Sequence, residues 1–443
     1  MAPLVPDWLR QRASLTPSRA ALNDFTFAEL DQHVDSACAV LRDLGVEPGQ
    51  HVGLRAPNCI GFVVAVHALM RLGAVLVPIN TRLTPAEVEW QRSDANLALV
   101  IEDIDALLEP RQTTPVPREF DLEATHSIVY TSGTSGTPKG AILTYGNHWW
   151  SAVASAMNLG TLPTDRWLAC LPLFHVGGLA ILLRGVIYGT HVVLHDRFDP
   201  HPVNQAIDQG VTHVSVVSTM LQRMLDHRAG HSYPGTLRCV LLGGGPAPLP
   251  LLERALAAGA PVFQSYGLTE TASQVATLAP EDIQRKLGSA GKPLMGTQLR
   301  IVDGEIQVRG PVVSPGYLHQ RTDGEWLRTG DLGYLDDEGY LYVQDRRSDL
   351  IVSGGENVYP AEVEAALLAH PAVEDAGVFG VADAEWGQTV AAALVLREPA
   401  SADDILAFCR RRLAGYKLPK RLEFVEVLPR NAAGKLLRRE LRQ

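Results

Sequence analysis

Short apolar runs alternate with stretches of helical length along most of this chain, and that rhythm constrains its fold more than any other feature. Residues 51–54 and 74–78 read as strands, with residues 62–72 a buried helix between them. Runs of four or five apolar residues are too short for a helix and suit strands covered on both faces. Strand–helix–strand succession builds a mostly parallel, doubly wound sheet. Ahead of it, residues 27–44 carry apolar side chains at helical spacing, and Gly45 ends that helix. The rhythm resumes with strands at 167–170, 191–194, 213–217, 237–242 and 261–264.

From Gln298 the pattern becomes antiparallel. Residues 299–302 and 305–308 flank Asp303-Gly304, a two-residue hairpin signal, and residues 333–343 read as a second hairpin. The last hundred residues form a separate unit, with helices at 360–368 and 402–413 and strands at 372–381 and 389–396. A chain of 443 residues exceeds one ordinary core, so more than one domain is expected. The charged, apolar-free run Asp345-Arg346-Arg347-Ser348-Asp349 suits a solvated boundary, although alone it reads equally as a surface turn.

Between these two halves of the rhythm lies the stretch richest in chemistry. A strand at 127–130 runs into Thr131, Ser132, Gly133, Thr134, Ser135, Gly136, Thr137, Pro138, Lys139 and Gly140. Glycine lets backbone N–H groups approach phosphate oxygens, hydroxyls add donors, and the lysine adds a mobile positive charge. The common mononucleotide spacing fails, because Pro138 directly precedes the lysine. The loop points to ATP used in another way than by the common NTPases.

Composition sharpens the lysine. Of 39 basic residues only Lys139, Lys286, Lys292, Lys417, Lys420 and Lys435 are lysine, so a lysine kept beside glycines suggests a site that arginine does not serve. A net charge of −10 argues against nonspecific nucleic-acid binding. Five scattered cysteines without a C-x-x-C pair read as reduced thiols, and there is no apolar run of membrane-spanning length. Asp7 and Arg10 stand where a secretion signal would need an apolar core, so a cytoplasmic protein is expected.

Several further segments carry polar groups at strand ends, where open α/β sheets bind ligands. Gly243, Gly244, Gly245 and Pro246 follow a strand and allow a flat ring close to the backbone. In Gln264-Ser265-Tyr266-Gly267-Leu268-Thr269-Glu270-Thr271, Tyr266 can stack on a base, Thr269 can donate to a phosphate, and Glu270 is a hard ligand for Mg²⁺. Asp331, in Arg328-Thr329-Gly330-Asp331, can accept both hydroxyls of a ribose, although such a tripeptide is usually just a turn. Lys435 lies in a glycine-bearing terminal segment that is weak in isolation. His175 sits in an apolar segment without a serine elbow or cysteine partner, so nucleophilic catalysis has no support.

Together and in this order, these segments resemble the adenylate-forming superfamily of acyl-CoA synthetases, luciferases and peptide-synthetase adenylation domains. The resemblance spans nearly the whole chain. It implies an α/β fold: a large N-terminal domain of subdomains over 1–344, with doubly wound sheets and a small antiparallel region, a hinge over 345–349, and a small mobile α+β C-terminal lid over 350–443. The implied reaction makes an acyl-AMP and pyrophosphate, then transfers the acyl group to coenzyme A. The 131–140 loop would hold the β- and γ-phosphates, Gly243 to Pro246 and Tyr266 the adenine, Thr269 the α-phosphate and Glu270 the Mg²⁺. Asp331 would hold the ribose, and Arg346 the ribose or phosphate; Ser265, Gly267 and Tyr342 belong to the same ATP set. Asp345 would be the pivot, Lys435 the catalytic lysine, and Gly354, Gly355, Glu356 and Asn357 the path of the pantetheine.

Within the superfamily, Tyr266 to Gln274 and Lys286 to Pro293, together with Asn80-Thr81-Arg82-Leu83 and the short length, look most like the branch that activates o-succinylbenzoate for menaquinone biosynthesis. A dicarboxylate calls for polar groups in the acyl pocket: His175, Ser273 and Gln274, with Arg82 for the spare carboxylate. Ser273 and Gln274 also read as caps of the following turn. The other readings are a medium-chain or aryl acyl-CoA synthetase, or an enzyme loading a carrier protein; an attached carrier domain is not expected, which weakens the last. Partners are therefore a carboxylic acid, ATP with Mg²⁺ and coenzyme A, compatible with a homodimer.

Overall fold

The computed structural model describes residues 4–111, 119–131, 138–244, 247, 249–322, 324–346, 351–429 and 438–442. The chain forms two compact units. One comprises Met1–Thr81, Ala95–Val129 and Gly140–Gln344; the other comprises Arg82–Asp94, Tyr130–Lys139 and Asp345–Gln443.

The first unit is α/β. Its largest sheet has nine strands, and at its centre Ala20–Leu22, His191–Leu194, Arg166–Ala169, His213–Val216, Cys239–Leu242 and Val262–Leu268 lie side by side and parallel. A seven-stranded sheet takes His51–Leu54 between Val75–Pro78 and Leu99–Ile101, all parallel, with Thr125–Thr131 beside Val75–Pro78. Both match the strand–helix rhythm of the sequence. Strands such as Val75–Pro78 and Cys239–Leu242 read as near-continuous apolar runs because every residue in them is buried. Helix starts follow local capping chemistry: Thr26 and Glu29 close a capping box ahead of Phe27–Asp43, and Gly73 ends Ile60–Leu72 in the left-handed conformation. Buried Arg71 ties the N-terminal turn to this framework through Asp7 at 2.7 Å, Asp31 at 2.6 Å and Asp35 at 2.9 Å.

The antiparallel region also appears where expected. Gln298–Val302 pairs with Glu305–Arg309, which pairs in turn with Leu327–Leu335. Asp303 and Gly304 have φ of 51° and 76°, the double left-handed turn that matches the strand twist. The chain passes from the first unit to the second between Gln344 and Asp345, where the charged run begins; Asp345 and Arg346 still belong to the strand Leu341–Arg346.

In the second unit, Glu356–Val358, Ile351–Ser353, Gly387–Leu396 and Val373–Asp383 lie in that order, with Arg421–Phe424 added parallel to Gly387–Leu396. Pro360–Leu368 lies against Val373–Asp383, around a core that includes Val363, Leu367, Val378, Leu394 and Ile405. The second helix, Ala402–Arg410, stops short of the expected 413 because Arg411 caps it. No helix among the described residues is long and apolar enough to cross a membrane.

Candidate active site

The parallel order of His213–Val216, Cys239–Leu242 and Val262–Leu268 brings their carboxyl ends side by side. Gly243 follows the second of these strands, its N–H donating to the Val216 carbonyl at 3.2 Å. Gly244 follows Gly243 with φ of 79°. Gly245 and Pro246, assigned to adenine with them, lie outside the described residues. Tyr266 sits on the third strand and is nearly buried. Its hydroxyl donates to Asp331 Oδ2 at 2.8 Å, so two motifs 65 residues apart meet at one hydrogen bond. The Asp331 backbone N–H donates to Thr329 Oγ1 at 3.1 Å, and that hydroxyl donates to the Ile306 carbonyl at 2.7 Å. Ser265 is turned toward the neighbouring strand, bonding Thr277 Oγ1 at 3.0 Å. Tyr342 stacks on Tyr334, ring centroids 5.0 Å apart, and burial raises its pKa.

At Gly267 the Val262–Leu268 and Ser273–Thr277 strands come so close that a Cβ would overlap the Ser273 carbonyl. The turn between them is a single helical turn, Thr269–Thr271, followed by Ala272 and Ser273 at φ of 49° and 101°. Two consecutive non-glycine residues in this region store strain, which concentrates at functional sites. Thr271 holds the turn by accepting from the Leu268 N–H at 3.0 Å. Glu270 Oε1 accepts from the Tyr317 hydroxyl at 2.8 Å. Ser314 anchors its backbone, donating its N–H to the Glu270 carbonyl and its hydroxyl to the Ile142 carbonyl.

Gln274, expected in the acyl pocket, is buried. Its Nε2 donates to Thr277 Oγ1 at 2.8 Å, and its Oε1 has no hydrogen-bond partner among the described residues. His175 precedes the helix Val176–Tyr188 without a side-chain capping bond, its ring 4.6 Å from that of Phe174. This helix and Tyr145–Leu159 both pack on Ser273–Thr277.

The sequence reading missed Arg184, which this helix carries inward. Arg184 is 2% exposed and forms no ion pair among the described residues. Its Nη2 donates to Ser151 Oγ at 3.3 Å, and Ser151 donates to the Ala272 carbonyl at 2.8 Å. Its guanidinium lies 5.8 Å from the Trp167 ring, while Nε has no hydrogen-bond partner among the described residues. Burial lowers its pKa, as expected for a charge without a counter-ion. An arginine on an apolar helix face usually snorkels to solvent; only the packing shows that this one does not.

The remaining candidates lie in the second unit. Gly354 and Gly355, at φ of 57° and 83°, turn the hairpin between Ile351–Ser353 and Glu356–Val358. A Cβ on Gly354 would overlap the Trp386 ring. Asn357 pairs in register with Val352 across the hairpin. Arg82 forms an ion pair with Glu356 and lies 4.6 Å from the Tyr416 ring centroid, so its charge is turned toward Glu356. Thr131 Oγ1 donates to the Lys139 carbonyl at 3.4 Å. Ser132, Gly133, Thr134, Ser135, Gly136, Thr137 and Lys435 fall outside the described residues. Asp345 and Arg346 are placed only through their strand backbone.

Comparison with known proteins follows the same lines. The family model "AMP-binding enzyme" matches residues 9–318, and "AMP-binding enzyme C-terminal domain" matches residues 362–435. A 2-succinylbenzoate–CoA ligase of Bacillus cereus is 48% identical, covering 100% of this chain and 99% of its own length. A double mutant of the o-succinylbenzoate CoA synthetase of Bacillus subtilis, bound to a product analogue, OSB-NCoA, superposes with a TM-score of 0.95 at 46% identity. That match covers 99% of this chain and 98% of the other. The same Bacillus subtilis enzyme with ATP and a magnesium ion gives a TM-score of 0.75 at 46% identity, covering 99% and 100%.

Proposed function

The chain belongs to the AMP-binding enzyme family, and from that premise we propose that it ligates 2-succinylbenzoate to coenzyme A, consuming ATP through an acyl-AMP intermediate. The observation that carries the acid's identity is Arg184: a buried guanidinium with no carboxylate partner among the described residues, linked through Ser151 to the Ala272 carbonyl just ahead of Ser273–Thr277. An alkyl chain gains nothing from a buried charge. A second carboxylate satisfies it, because a charge-assisted pair in a dry site is strong. We therefore assign the ring carboxylate to Arg184 and not to Arg82, which Glu356 occupies, and keep Gln274 and His175 as polar candidates for other parts of the acid.

Asp331 receives the ribose hydroxyls with one oxygen already fixed by Tyr266. The flat passage at Gly243 and Gly244 receives adenine. The donor set suits Mg²⁺ delivered with ATP, since Mg²⁺ usually keeps waters and substrate phosphates and takes only one or two protein carboxylates. Glu270, held by Tyr317, is the carboxylate assigned to it, and the ion when bound neutralises phosphate charge. Thr269 donates to the α-phosphate from a strained, preformed turn. Lys435 is assigned to the charge that develops as the acid attacks phosphorus. The Gly354–Asn357 hairpin, tight enough to exclude any side chain at Gly354, is assigned to the pantetheine. ATP and coenzyme A are intracellular co-substrates, which supports a cytoplasmic assignment.

The test is turnover with ATP, Mg²⁺ and coenzyme A across 2-succinylbenzoate, medium-chain acids and aryl acids, with thioester read by mass. A thioester from 2-succinylbenzoate at a far higher kcat/KM than from the others is expected. No such thioester, with turnover of a medium-chain acid, overturns the assignment.

A further inference from the structure

Lys417 stands outside the roles assigned so far. It lies on the turn Gly415–Lys417, is 4% exposed, and directs its ammonium at two carboxylates. Glu362 Oε1, in the first turn of Pro360–Leu368, is 2.6 Å away; Glu87 Oε1, in the first turn of Pro85–Asp94, is 3.1 Å away. Burial opposes the Lys417 charge, but Tyr416, Glu362 and Glu87 outweigh it and raise its pKa. The group is buried, net negative, and joins residues 330 apart in the chain.

Pro85–Asp94 is an unusual member of the second unit, since the chain on either side of it, up to Thr81 and from Ala95, belongs to the first. Within the second unit it is gripped along its length. Glu87 Oε2 accepts from the N–H and hydroxyl of Thr84, which caps the helix and leaves Oε1 for Lys417. Arg82, just ahead of the helix, pairs with Glu356 of the hairpin assigned to pantetheine. At the far end Asp94 Oδ2 accepts from the Tyr130 hydroxyl at 2.6 Å, and the Trp90 ring meets that of Tyr130 at 5.8 Å. Tyr130 immediately precedes the phosphate loop.

We infer that Lys417 is a positioning residue for the thioester-forming half of the reaction: by joining Glu87 to Glu362 it latches Pro85–Asp94 to the C-terminal body and so holds Arg82 on Glu356. The latch touches neither phosphorus nor sulfur. It acts by keeping the Gly354–Asn357 hairpin and the helix in one arrangement. Acyl-AMP formation, assigned to Lys435, does not require it. The inference rests on the ligase reading proposed above.

The experiment separates the half-reactions. Acyl-AMP formation is read as 2-succinylbenzoate-dependent pyrophosphate exchange, and thioester formation as single-turnover transfer from preformed acyl-AMP to coenzyme A. Lys417→Met is expected to slow transfer by about a hundredfold, the scale for removing one partner of a buried ion pair, with exchange within about threefold of wild type. Glu87→Gln keeps the helix cap, the side-chain size and the Lys417–Glu362 pair, so it guards against simple misfolding. It is expected to slow transfer by about tenfold, a hydrogen bond to a charged group, and to add little in the Lys417→Met background. Equal losses in both half-reactions, or transfer at wild-type rate in Glu87→Gln, overturn the latch. No exchange or transfer with 2-succinylbenzoate in the wild-type enzyme overturns the ligase reading instead.

Discussion

Replacing Arg184 with methionine should make the protein more stable and its substrate worse. Arg184 is 2% exposed, and among the described residues its guanidinium has a hydroxyl and a tryptophan ring as neighbours but no carboxylate. Desolvating an ion costs several kcal/mol, and a neutral hydroxyl returns little of it. An apolar side chain of similar length removes the cost, and a gain on the order of 1–4 kcal/mol is expected, the scale seen when buried ion pairs are replaced by apolar side chains. Against this, truncating one partner of a buried charge pair costs ~2–5 kcal/mol of binding, roughly 30- to 4,000-fold in KM. The assay pairs thermal unfolding of the apo protein with kcat/KM for 2-succinylbenzoate and for 3-benzoylpropionate, which lacks the ring carboxylate. Wild type should discriminate strongly between the two acids, and Arg184→Met should discriminate little, with KM for ATP unchanged. A variant that loses activity equally on both acids, or that unfolds more easily, refutes the reasoning.

Other outcomes follow from the same geometry. Lys435→Ala should cut acyl-AMP formation by about a hundredfold or more while sparing transfer from preformed acyl-AMP; half-reaction kinetics check this, and equal losses count against it. Gly267→Ala should lose stability by ~1–3 kcal/mol or more, since its methyl meets the Ser273 backbone, which cannot rotate away; a urea midpoint equal to wild type would contradict the close approach. Burial lowers the pKa of His67 to about 4 and of His148 to about 3, below the usual 6.5. These groups bind protons more readily unfolded, so their contribution is complete above about pH 6.5. It declines as pH falls toward 4, by ~1.4 kcal/mol per pH unit for each histidine, and urea midpoints at pH 7 and pH 5 that coincide would exclude it.

What was legible in the sequence was mostly local. The Asp303-Gly304 turn could be read because two left-handed residues need particular side chains, and the parallel strands because burial on both faces leaves continuous apolar runs. Tyr266 and Asp331 were each legible as ATP candidates. Their 2.8 Å hydrogen bond was not, since it depends on how strands of two different sheets pack. Arg184 escaped notice because an arginine among leucines reads as a solvated edge until a neighbouring helix covers it. Arg82 was recognised as a cation, but its partner Glu356 stands far along the chain, and the pattern in sequence carries no sign of which carboxylate it meets. The grouping of Pro85–Asp94 with the C-terminal body was hidden for the same reason.

The most direct test of the central claim is a rapid-quench experiment with stoichiometric enzyme, 2-succinylbenzoate, ATP and Mg²⁺, first without and then with coenzyme A. Succinylbenzoyl-AMP and pyrophosphate should accumulate to about one equivalent and convert to the thioester, with release of AMP, once coenzyme A is added. No adenylate from 2-succinylbenzoate, under conditions where another acid yields one, would contradict the account.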